Sequence, residues 1–179
     1  EERTVGPDLG KDSIDAGVFS LIIGFILVII FMLFKYRIFG LVSNISLIAN
    51  LLMMVGILTI LEATLTLPGI AGIILTVGMA VDSNVLIYER IKEELKTEKS
   101  TIHAFDTGYN KAKITVIDAN VTTLIAAIIL FIFGSGPVKG FAVTLGIGIV
   151  TTLFSAYFIA RHLTSVIVLN SKKGNFFKL

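Results

Sequence analysis

Five stretches of this 179-residue chain run for about a membrane thickness with almost no charge: Ala16 to Phe34, Leu41 to Leu61, Pro68 to Tyr88, Ile114 to Phe133 and Gly140 to Ala160. At a rise of about 1.5 Å per residue, about 20 residues of helix cross a hydrocarbon core of about 30 Å. Helices of a soluble bundle keep a polar face, and none of these five has a charged one. Only 16% of the residues are charged and 55% are hydrophobic, where a soluble domain carries about 25% charged residues. Disordered chains, coiled coils, secreted disulfide scaffolds and ordinary soluble enzymes are excluded. The sequence predicts an all-α fold: a polytopic membrane bundle of five transmembrane helices over residues 15–162. Without cysteine there is no disulfide and no thiolate metal site.

The links between spans sort by Lys and Arg. Lys35, Arg37, Arg90, Lys92, Lys96, Lys99, Lys111, Lys113, Arg161, Lys172, Lys173 and Lys178 fall on one side, and Arg3, Lys11 and Lys139 on the other. The positive-inside rule places the larger group in the cytoplasm. Residues 1–14 are then expected as an extracytoplasmic linker, 89–113 as a cytoplasmic segment and 163–179 as a cytoplasmic tail. An outside start, with Glu rather than Met at position 1, suggests a fragment or processed product with at least one helix upstream.

Thr66-Leu67-Pro68-Gly69 and Ser135-Gly136-Pro137-Val138 are outer turns in which Pro opens the next helix. Within 89–113, alternating charge predicts a helical extension from Tyr88 to Lys96. Ser100 or Thr101 can cap a second short helix, with Ile102, Phe105, Tyr109 and Ala112 near one face. His103 and His162 have no second ligand at metal spacing and are read as interfacial residues.

Asp82, fifteenth in the third span, is the most constraining polar residue. A central Asp costs about 2.5–3.5 kcal/mol on insertion scales, so it normally faces a bundle interior or a water pathway. Counting from the inner ends, Asn84 on the same span, Ser46 and Asn50 on the second, and Asp118, Asn120, Thr122 and Thr123 on the fourth fall at about the same depth. Ser43, Ser46 and Asn50 share a helix face, as do Thr115, Asp118 and Thr122. The expectation is a polar layer around a buried carboxylate, able to hydrate and pass protons. The plainer alternative is a neutral Asp acting as interhelical hydrogen-bond glue. Small residues recur every fourth position at Gly72, Thr76, Ala80 and Asn84, and at Gly140, Thr144, Gly148, Thr152, Ala156 and Ala160. Such stripes let backbones approach closely, within the chain or between subunits. No Lys or Arg lies inside any span, so Asp82 must be protonated much of the time or meet a cation from another chain.

Three segments resemble one family: VGPDLGKDSI from Val5 to Ile14, LPGIAGIILTVGMAVDSNVLIYERIKEE from Leu67 to Glu94, and IDANVTTLIAAIILFIFGSGPVKGFAVTLGIGI from Ile117 to Ile149. They are similar to the SecD side of the SecD/SecF family of protein-translocase subunits, in the resistance–nodulation–division superfamily. The resemblance implies six membrane helices with a large extracytoplasmic domain after the first, so this chain would hold helices two to six. It also implies pairing with a homologous SecF half, work with the SecYEG channel, and proton-gradient-driven export of unfolded secretory proteins. The setting would be the bacterial cytoplasmic (inner) membrane, with the N-terminus of the chain outside and the C-terminus inside. No nucleic-acid partner and no cofactor beyond the coupling proton is expected. The family's membrane carboxylate falls on Asp82, and its DAN-V-TT motif on Asp118, Asn120, Thr122 and Thr123. Ser83 and Tyr88 stand where the family often has Ala and Phe.

Three other readings compete. A lipid or drug efflux transporter would keep the superfamily and change the cargo. An intramembrane aspartyl protease would use Asp82 and Asp118 as a dyad sharing one proton, although the Gly-x-Gly-Asp surround expected of that class is missing. A purely structural subunit would use Asp82 as glue.

Overall fold

In lipid every backbone N–H and C=O has to be satisfied within its own segment, which leaves an apolar run only the helix or the closed barrel. The computed structural model describes residues 7–97 and 100–170, with side chains from 12 to 97 and from 100 to 169, and all its regular structure is helical. α1 spans Pro7–Tyr36, α2 Ile38–Ile60, α3 Leu67–Thr97, α4 Thr101–Phe133 and α5 Pro137–Phe154. α5 passes through a π-helical segment, Ser155–Ala160, into α6, Arg161–Asn170. Among the described residues five helices are long and apolar enough to cross a membrane, as the sequence predicts.

Several boundaries differ from expectation. Residues 7–14, expected as linker, are the first turns of α1. The helical extension expected from Tyr88 to Lys96 is present as the end of α3, but the second short helix expected after Ser100 is instead the opening of α4, which continues unbroken to Phe133. Ser100 caps α4, its side chain accepting from the His103 N–H at 3.5 Å. Nothing between Thr101 and Ile114 interrupts the hydrogen-bond ladder, because Gly108 serves a contact instead of a break. A Cβ there would lie 2.8 Å from the Ile91 Cα, so α3 and α4 touch backbone to backbone. The fifth span likewise runs on to residue 170 as helix. Residues 1–6, 98–99 and 171–179, including Arg3, Lys99 and the tail lysines, lie outside the described residues, as does the side chain of Lys11.

One residue joins α1 to α2. Arg37 adopts a left-handed conformation, φ 52°, uncommon for a side chain other than glycine. Gly40 makes the turn possible, since a Cβ at that position would collide with the Met32 carbonyl. Both proline turns start helices as expected, Pro68 in the first turn of α3 and Pro137 at the head of α5. They meet at one end of the bundle, where the Thr66 hydroxyl donates to the Pro137 carbonyl at 3.3 Å.

α3 is central, packed mainly against α5 and α4, while α1 lies at the periphery. Phe19, Leu27, Ile30 and Phe34 of α1 are exposed, as suits contact with acyl chains. The two small-residue stripes face each other. A Cβ on Gly72 would strike Thr144, and one on Gly148 would strike Thr76. Each helix thus offers a glycine to the other's threonine, which brings the backbones close.

The π segment has its own partners. Ser46 of α2 donates to the Ser155 carbonyl at 3.1 Å, and Tyr109 of α4 donates to the Ala156 carbonyl at 3.0 Å. A π turn disturbs the i→i−4 ladder locally, and these side chains supply bonds to carbonyls in that stretch.

Candidate functional site

α3 carries its polar residues on two opposed faces. Asn84 is 2% exposed and looks into the bundle, whereas Asp82, about 200° away around the helix, is exposed on the outer side. The expected single layer around a buried carboxylate is therefore divided by α3.

On the outer side, Asp82 lines a groove of about 200 Å³ between α3 and α4 with Met79, Ser83, Leu86, Val116, Ala119, Asn120 and Thr123. The hydroxyls of Ser83 and Thr123 donate to the carbonyls of Met79 and Ala119 at 2.9 and 3.0 Å, and the Asn120 amide donates to the Val116 carbonyl at 2.8 Å. These donors are spent on their own helices, which leaves lone pairs as well as the carboxylate at the groove. No ion pair among the described residues includes Asp82. The arrangement presents an exposed carboxyl group on the outer side of α3, where a donor or cation from a facing chain can reach it.

Asp118 and Thr122 do not line this groove. Both are exposed, and the Thr122 hydroxyl donates to the Asp118 carbonyl at 2.8 Å. The groove thus holds Asp82 without Asp118, so the two carboxylates expected of an aspartyl-protease dyad do not line it together. On the inner side of α3, Ser46 and Asn50 are fully buried against the fifth span. The Asn50 amide donates to the Thr152 hydroxyl at 3.2 Å.

Ser83 stands in the sequence only as a departure from a family pattern, yet it lines the groove beside the carboxylate. Its position next to Asp82 and one turn from Met79 was the available signal. The partnership of Tyr109 with the π segment had no local signal, since it joins residues 47 apart.

At the end of the bundle carrying Lys35, Lys92 and Arg161, past the apolar run that closes at Tyr88, α3 and α4 are clamped by ions. Glu94 receives the Lys111 ammonium and the Arg90 guanidinium, each at 2.8 Å. The hydrogen bond from Lys111 is the main cause holding the Glu94 carboxyl below the usual carboxylate range. Among the described residues no group of three His, Cys, Asp or Glu is placed to hold a metal ion.

The family model for protein export membrane protein SecD/SecF, C-terminal, matches residues 1–170. The chain is 52% identical over 172 residues to protein translocase subunit SecD of Magnetococcus marinus, covering 96% of this chain and 33% of that protein. It is 56% identical over 168 residues to the SecD of Desulfurispirillum indicum, covering 94% and 33%. It therefore spans about a third of the length of these curated relatives. The crystal structure of SecDF, a translocon-associated membrane protein from Thermus, superposes with a TM-score of 0.90 at 42% identity, covering 94% of this chain and 24% of that one. SecDF in a super-membrane-facing form gives a TM-score of 0.86, again at 42% identity, with 94% and 23% covered. Sequence and fold agree, and the chain belongs to the SecD/SecF C-terminal family of protein export membrane proteins.

Proposed function

We propose that this chain is the membrane unit of a SecD-type subunit that pairs with SecF, works with the SecYEG channel, and uses the proton gradient to promote protein export. Support comes from relatives named as translocase subunits and from a structural neighbour described as translocon-associated. Secretory chains would be handled by the family's extracytoplasmic domain, and protons are the coupling ion. The uneven distribution of Lys and Arg favours a multi-pass orientation in the bacterial cytoplasmic membrane with the basic end inside.

The observation that carries the reading is the outward position of Asp82. Within the five helices its charge would face lipid, which is costly. A homologous half seated on the α3–α4 groove would enclose it and supply the water or cation it needs. Moving one charge through 100 mV is worth about 2.3 kcal/mol, comparable to the cost of a central Asp. The gradient is large enough to bias proton loading and release, and loss or gain of the charge would favour different packings of the two halves. Those packings would rock the domain attached outside.

The test is Asp82→Asn in the full-length subunit, which keeps size and hydrogen bonding but cannot titrate. Insertion and SecF pairing should be normal, and the gradient-driven stimulation of export should be lost. Full gradient-dependent export by the Asn variant would reduce Asp82 to packing glue.

A further inference from the structure

Inside the bundle, Ser43 Oγ, Asn50 Oδ1 and Asn84 Oδ1 have no protein hydrogen-bond partner. Ser43 and Asn50 are 0% exposed and Asn84 2%. Leaving a buried polar atom unpaired forfeits its hydration without a replacement bond, so three in one region require a partner of some kind.

Their placement is continuous. The rings of Phe39 of α2 and Tyr88 of α3 pack in a tilted arrangement with centroids 5.3 Å apart. The two helices run in opposite senses, so one turn further into the membrane Phe39 gives way to Ser43 and Tyr88 to Asn84. Next come Ser46 against Ser155, and then Asn50 against Thr152. Tyr88 Oη, with Thr164 as its polar neighbour, stands at the head of the same row. Ala80, Ala156 and Ala160 lie on the same stripes, and all are buried. Reversing the Asn50 amide would exchange the atom that meets Thr152 and still leave one unpaired. The Asn84 amide is already spent on the Ala80 carbonyl at 3.2 Å.

We propose that Ser43, Asn50 and Asn84 bind a short file of internal water between α2, α3 and the π segment. Water suits the site because both asparagine oxygens require donors and the Ser43 hydroxyl can turn either way. Internal waters typically join about three such groups. The file lies on the far side of α3 from Asp82, and the proposal does not depend on a role for that residue. It runs beside the Ser155 carbonyl, held by Ser46. Water there offers the π segment a further hydrogen-bond partner.

The intact protein in lipid nanodiscs is irradiated with X-rays, and hydroxyl-radical modification is read by mass spectrometry. Tyr88, fully buried beside the file, should be modified about fivefold faster than Ile149 after correction for intrinsic reactivity, since radicals form from ordered water. Ile149 is equally buried but lies in a separate apolar cluster with Ala127 and Leu145. Ser43→Ala should slow modification of Tyr88, leave Ile149 unchanged and lower the thermal midpoint, because a water-binding group is lost. In a dry interior the same substitution removes an unpaired hydroxyl and leaves the midpoint unchanged or higher. Equal modification of Tyr88 and Ile149 in the unaltered protein, or a midpoint that does not fall, overturns the proposal.

Discussion

Asp82 and Asn84 are two residues apart on α3 and point to opposite sides of it, Asn84 into the bundle and Asp82 to the outer groove. A partner half covering the groove should therefore meet the Asp82 face and never the Asn84 face. Single cysteines at Met79 or Thr123, paired with cysteines on SecF, should give a disulfide adduct under mild oxidation. A cysteine at Asn84 should give none. Adducts from position 84 without adducts from 79 or 123 would place the partner elsewhere.

The Gly72–Thr144 and Thr76–Gly148 contacts make the α3–α5 seam intolerant of added volume. Gly148→Ala should lower stability by about 1–3 kcal/mol, the usual cost of overpacking, measured by thermal unfolding in detergent. Thr76→Ala removes the obstructing side chain, so adding it should recover part of that loss. Strictly additive costs would show that the two residues do not share the contact.

Glu94 links Lys111 and Arg90 beyond the membrane-spanning run. Its folded-state pKa lies below the unfolded value, so the stabilisation is present above the unfolded pKa and is lost as pH falls through the folded one. The thermal midpoint should drop as pH is lowered through the carboxylate range. Glu94→Gln should lower the midpoint at neutral pH and flatten that part of the profile. An unchanged acid limb in the Gln variant would assign it to other carboxylates.

Orientation follows from the basic residues and is open to labelling. Ser100 lies at the end rich in Lys and Arg, and Thr64 and Ser135 at the end where the proline turns meet. Cysteine at Ser100 should react with an impermeant thiol reagent only from the cytoplasm, and at Thr64 or Ser135 only from outside. Reaction at position 100 from outside would invert the bundle.

The boundaries that the sequence misplaced were all at polar edges. Residues 89–113 carry enough charge to suggest surface pieces, yet Arg90, Glu94 and Lys111 form the clamp that keeps α3 and α4 helical past the apolar run. The stripes of Gly72 and Thr76 and of Thr144 and Gly148 were legible because small residues at a four-residue spacing mark a face on any helix. That the two stripes meet each other was not, since the residues of each pair lie 72 positions apart.

The sequence by itself determined that this chain carries five segments long and apolar enough to cross a membrane, because that suitability depends on each segment's own length and apolarity. It also determined the position of Asp82 along its span, which follows from counting residues at a constant rise. Which way Asp82 faces was decided only by the tertiary structure. In water, an apolar stripe reveals the buried side of a helix, but acyl chains are as apolar as a protein core. The helices of a membrane bundle consequently carry little record of which side meets lipid and which meets protein. Packing glycine against threonine across α3 and α5 turned Asn84 inward, and the same rotation left Asp82 on the outside.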